Sequence, residues 1–117
     1  MANPFVHVEL NTTDLNKAKD FYGQLFEWKL EDVPGMNYTM IKPGEGTGGG
    51  MMTHPMPGAP SAWLAYVQVD EVNASTAKAK SMGATIIRDT TEIPGVGWFS
   101  IFTDPTGAVL ALFKPKM

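Results

Sequence analysis

Twice along the chain a strand is followed by a helix and then by three short strands, and laying helix on helix pairs Leu15 with Val72, an offset of 57 positions. In the first half, "FVHVEL" alternates Val6, Val8 and Leu10 with His7, Glu9 and Asn11, the period of a strand with one face in a core and one face polar. Thr12, Thr13 and Asp14 supply N-cap chemistry, and Leu15, Ala18, Phe21, Tyr22, Leu25 and Phe26 follow at the three-and-four spacing of a buried helical stripe. "WKLEDV" and "NYTMIKP" are strand candidates separated by the turn pair Pro34 and Gly35. The glycine-rich "GEGTGGGMMTHPMPGAP" reads as a loop holding one short strand around Met51 and Met52.

The second half repeats the order. "AWLAYVQV" is a strand, Asp70 the expected N-cap, and residues 71–82 a helix closed by Gly83. "TIIRDT", "WFSIFTD" and "AVLALFKP" are three further strands, the last two joined by the turn "DPTG". The same offset pairs His7 with Leu64, Gly50 with Gly107 and, without a gap, His54 with Ala111. Identities are few, so the repeat rests on element order and constant spacing. One domain of 117 residues made of two βαβββ modules, about 1–58 and 59–117, is the expected organisation.

Composition narrows the function classes. Nine Lys and Arg against 12 Asp and Glu give a net charge of −3, scattered along the chain, with no basic run to neutralise a phosphate backbone; no nucleic-acid partner is expected. No apolar run approaches the roughly 18 residues that span a bilayer, and the N-terminus lacks a basic region followed by an apolar one, so no membrane partner and a cytoplasmic location are expected. Zero cysteines exclude disulfides, thiolate catalysis and Cys-ligated metals. No Ser lies in a nucleophile motif, which leaves covalent catalysis without a candidate. "GEGTGGG" lacks the lysine of a phosphate-binding loop and opens no helix, so a flexible connection is the better reading. His7 and Glu9, two apart on one strand face, could act as an acid–base pair. Eight methionines, several between Met36 and Met56, suit either gap-filling or a site that adapts to flat ligands.

The pieces "NTTDLNKAKDFYGQLFEW", "VDEVNASTAKAKSMGATII" and "IPGVGWFSIFTDPTGAVLALF" resemble the vicinal oxygen chelate superfamily of glyoxalases, bleomycin-resistance proteins and dioxygenases, nearest to its antigen-like, glyoxalase-like subgroup. The resemblance implies an α+β fold of two βαβββ modules whose curled mixed sheets surround a cavity. It also implies a homodimer and four metal-ligand positions, two in each module. The first of these is His7. The second-module equivalent is Leu64, and the place of the closing Glu in "DPxGxxxE" is Ala111, neither of which can donate to a cation. The remaining position falls on His54, or on Met51 or Met52 if the loop shifts register.

A metal set of His7 and His54 is therefore incomplete even with Glu9 added. No cofactor is expected, with divalent Zn, Ni, Mn or Fe as the alternative. The expected ligand-facing set is His7, Glu9, Asn11, Met52, Leu64, Tyr66, Gln68, Trp98 and Ala111, although the alternation of "WFSIF" allows either Trp98 with Ser100 or Phe99 with Ile101 to face inward. The leading functional expectation is a protein that binds a small hydrophobic or aromatic molecule, the usual metal site largely lost. The alternative is a divalent-metal-dependent lyase, isomerase or dioxygenase with an atypical ligand set. A third reading is an interaction module whose cup is filled by its own side chains.

Overall fold

A computed structural model describes residues 2–116. The architecture is α+β, two βαβββ modules in the order β1 (Phe5–Thr12), α1 (Leu15–Leu25), β2 (Lys29–Val33), β3 (Tyr38–Lys42), β4 (Gly49–Thr53), then β5 (Ala62–Gln68), α2 (Val72–Ser81), β6 (Thr85–Ile93), β7 (Gly97–Thr103) and β8 (Val109–Pro115). Contacts group His7–Leu64 into one compact unit, and the segment through Val6 with that from Ala65 into another.

In the His7–Leu64 unit the strand order is β2-β3-β4-β1, antiparallel except for the parallel β4–β1 pair. Asp14 starts α1 as the cap residues suggest, its carboxylate accepting from the Lys17 amide at 3.0 Å. Leu10, Ile41 and Met51 form the core under the helix, with Leu15, Ala18, Tyr22, Trp28 and Leu30 packed on it. Phe21 and Leu25 were expected in that stripe, yet they stand 58% and 55% exposed. The face centred on Leu15, Ala18 and Tyr22 already covers the sheet, and an 11-residue helix over four strands cannot bury both flanks of a stripe that wide. Phe26, also expected inside, is 43% exposed and rests against the Tyr22 and Trp28 rings.

The other unit repeats the plan with β5-β8-β7-β6, of which β5–β8 is parallel and the rest antiparallel. The α2 N-cap is Glu71, one residue after the expected Asp70, and it makes no side-chain cap bond. Gly83 ends the helix at φ +105°, a left-handed conformation that an L side chain resists. Val69, Val72 and Leu112 form this core, joined by Val67, Trp98 and Phe102. Thr76 and Ser100 are buried among them, their hydroxyls 2.8 Å apart. "DPTG" folds as a turn in which Asp104 accepts from the Thr106 and Ala108 amides and the Thr106 hydroxyl. Those bonds hold the Asp104 carboxyl below its usual range, the Thr106 hydroxyl contributing most.

Candidate functional site: a tyrosine between histidine and glutamate

In the His7–Leu64 unit, strand alternation sends Leu10 and Met51 toward α1 and His7, Glu9, Asn11, Gly50 and Met52 to the opposite face. Tyr38 and Met40 share that face, because β3 pairs Tyr38 with Met52 and Met40 with Gly50. The Tyr38 ring does not stay in its own row. It leans across β4 so that its hydroxyl lies 2.7 Å from His7 Nε2 and donates to Glu9 Oε2 at 2.9 Å.

Gly50 permits this reach. A Cβ there would sit 2.0 Å from the Tyr38 hydroxyl oxygen and 2.2 Å from its ring, well inside contact distance. The glycine stretch therefore does not end as a flexible connection: Gly49 and Gly50 are buried strand residues, and the bare backbone at 50 is the floor under the tyrosine.

A phenol carries one proton. With that proton donated to Glu9, the His7 contact requires Nε2–H as donor, so the hydrogen bonds run His7 to Tyr38 to Glu9. Burial lowers the His7 pKa from 6.5, which favours the neutral imidazole and fits this tautomer. Glu9 is only 8% exposed, so the tyrosine hydroxyl supplies hydrogen bonding that a buried carboxyl needs. Asn11, 9% exposed, and Met52, half-buried, continue the same face.

His54 is not brought near His7. Its amide donates to the Thr12 carbonyl, whereas the Val8 amide donates to the Gly48 carbonyl, so the two histidines lie at opposite ends of the β1–β4 ladder, about 20 Å apart at strand rise. His54 Nδ1 instead accepts from the Met56 amide in its own turn. Among the described residues no three of His, Asp and Glu gather where one ion could bind. Leu64 and Ala111, 7% and 0% exposed, offer no donor atom. This set does not fit the shell of about three protein ligands that a catalytic divalent ion takes.

In the unit that begins at Ala65, Tyr66 and Ala111 are register partners, as are Gln68 and Phe113, so all four share one face. Tyr66 is 7% exposed and meets the Phe113 ring edge-on at 6.4 Å. Trp98, expected on the ligand side, is on the other. It packs with Val67 and Leu112 against the α2 core, and Lys114 and Lys116 hold their ammonium groups over its ring at 5.7 and 5.3 Å. The reason is Ser100, which must reach the buried Thr76 of α2 and brings Trp98 and Phe102 to the same side. Phe99 and Ile101, paired with Phe113 and Ala111, hold the face away from the helix.

Sequence reading missed Tyr38. Its only signal was the parity that places it level with Met52 and Asn11, together with a glycine one row away; neither is visible before the register is known.

The sequence family described as Glyoxalase/Bleomycin resistance protein/Dioxygenase superfamily matches residues 5–112. "Putative glyoxylase CFP32" of Mycobacterium tuberculosis is 41% identical over 110 residues, 92% of this chain and 42% of that protein. "Anthracycline biosynthesis protein DnrV" of Streptomyces peucetius is 25% identical over 123 residues, 91% of this chain and 45% of that protein. The chain thus spans less than half the length of these curated relatives. Among solved structures, the Mn(II)-bound glyoxalase from Novosphingobium aromaticivorans superposes with a TM-score of 0.65 at 16% identity, covering 94% of this chain and 37% of that one, a likeness of fold.

Proposed function

Given that the chain belongs to the glyoxalase/bleomycin resistance protein/dioxygenase superfamily, we propose that it binds a small hydrophobic or aromatic molecule without the usual metal site. One observation carries the reading. At the first of the expected ligand positions, Nε2 of His7 is engaged by the Tyr38 hydroxyl, and Glu9 accepts from that same hydroxyl. A cluster of this kind meets a polar group of a ligand by hydrogen bonding, while Met40 and Met52 beside it offer adaptable apolar surface. The anthracycline-biosynthesis description of one relative supports an aromatic ligand. A homodimer belongs to the same reading, and light scattering of the purified protein checks it.

The alternative, a divalent-metal-dependent lyase, isomerase or dioxygenase, draws support from the fold shared with a Mn(II)-bound glyoxalase. The two separate on calorimetric titration of chelator-treated protein with planar probes such as 2-naphthol and 2-naphthamide. Saturable binding without added metal is the expected result. Absence of binding by every planar probe, or binding only after Mn(II) is restored, overturns the reading.

A further inference from the structure

On the face of the β5-β8-β7-β6 sheet turned away from α2, the register rows are Tyr66–Ala111–Ile101–Arg88 and Gln68–Phe113–Phe99–Thr91. Ala111 is buried outright, but Phe99, Ile101 and Phe113 are half-exposed and make an apolar, largely aromatic floor. Arg88 is the single charged residue in these two rows.

Three features fix Arg88 there. The β6–β7 register shifts on both sides of it, between Ile86 and Arg88 and between Arg88 and Thr91, and an extra residue of this kind re-aims the side chains around it. Its guanidinium lies over the Phe99 ring at 5.7 Å. Its Nε donates to the Thr91 hydroxyl at 3.3 Å, and that hydroxyl donates in turn to the Asp89 carbonyl at 2.9 Å. Among the described residues Arg88 makes no salt bridge, although the chain carries 12 carboxylate residues against nine cationic ones. With Nε committed to Thr91, the two terminal amino groups form the fork that a carboxylate takes up in parallel.

From this charge complementarity we infer that the face binds a planar aromatic carboxylate, its ring on Phe99, Ile101 and Phe113 and its acid group on Arg88. The inference goes beyond the small-molecule reading above, which rests on the His7–Tyr38–Glu9 cluster of the other unit, and gives a chemical class for the ligand of this face. Arg88 is then the specificity-determining residue, and an aromatic molecule without the negative charge keeps the apolar contact but loses the pairing.

The test compares 2-naphthoate with neutral 2-naphthamide by calorimetry on the full chain, in the wild type and in Arg88→Gln and Arg88→Lys. The expected result is that the wild type prefers 2-naphthoate by about fivefold, the size of one exposed ion pair, and that the preference narrows as salt rises. Arg88→Gln removes it by weakening 2-naphthoate alone, and Arg88→Lys restores part. Equal affinities in the wild type, or a preference that survives Arg88→Gln, overturn the assignment of Arg88 while leaving aromatic binding in place. Failure of 2-naphthoate to bind the wild type overturns this inference.

Discussion

The hydroxyl oxygen of Tyr38 lies 2.0 Å from the point a Gly50 Cβ would occupy, so the absence of one side chain sets the position of another. Tyr38 can touch His7 and Glu9 only because β4 is bare beneath it.

Gly50→Ala is therefore expected to push the tyrosine out of its place and to destabilise the protein by about 1–3 kcal/mol, the usual cost of overpacking. Urea unfolding measures it. Tyr38→Ala in the same chain should recover part of the loss, because the atoms the methyl group meets are gone; strictly additive effects of the two substitutions would contradict the contact.

Tyr38→Phe keeps the ring and removes the bond to a carboxyl that is only 8% exposed. A loss of about 1.5–3 kcal/mol is expected, the range for hydrogen bonds to charged groups. A change below a few tenths would show that Glu9 does not depend on the tyrosine.

His7 gives a pH dependence of determinate sign. Burial lowers its folded-state pKa below 6.5, so the unfolded chain binds the proton more readily. The contribution to stability is present above pH 6.5 and falls away as pH drops from there through the lowered folded value. Melting temperatures across that window should fall toward acid in the wild type and fall less steeply in His7→Gln. An equal slope in both would place the titrating group elsewhere.

The buried hydroxyl pair in the other unit is directional. Thr76 donates to the Val72 carbonyl at 2.6 Å, which leaves Ser100 to donate to Thr76 at 2.8 Å. Thr76→Val strands the Ser100 hydroxyl in a dry core and should cost about 1–3 kcal/mol, whereas Ser100→Ala removes a donor whose acceptor keeps another bond and should cost less. The reverse order in denaturant unfolding would contradict the assigned direction.

Much of the fold was legible because it is written in periodicity. The alternation of Val6, Val8 and Leu10 with His7, Glu9 and Asn11, the Asp14 cap and the recurrence of the element order reappear in the elements found. The candidate site was legible only in part. His7 and Glu9 share a face by strand parity alone, but bringing Tyr38 to them needs the β3–β4–β1 register, and seeing that Gly50 is floor needs the same knowledge. Trp98 was misplaced because either alternate set of "WFSIF" could be buried, and only the bond between Ser100 and Thr76 of α2 chooses between them. Phe21 and Leu25 look buried by spacing because helical periodicity marks a stripe and does not say how much of it the sheet can cover.

The most direct test of the central claim, that His7 and Glu9 are committed to Tyr38 and not to a cation, is titration of chelator-treated protein with Mn(II) followed by electron paramagnetic resonance. No stoichiometric binding is expected, with free Mn(II) rising from the first addition. One equivalent taken up tightly by the wild type and lost in His7→Ala would contradict it.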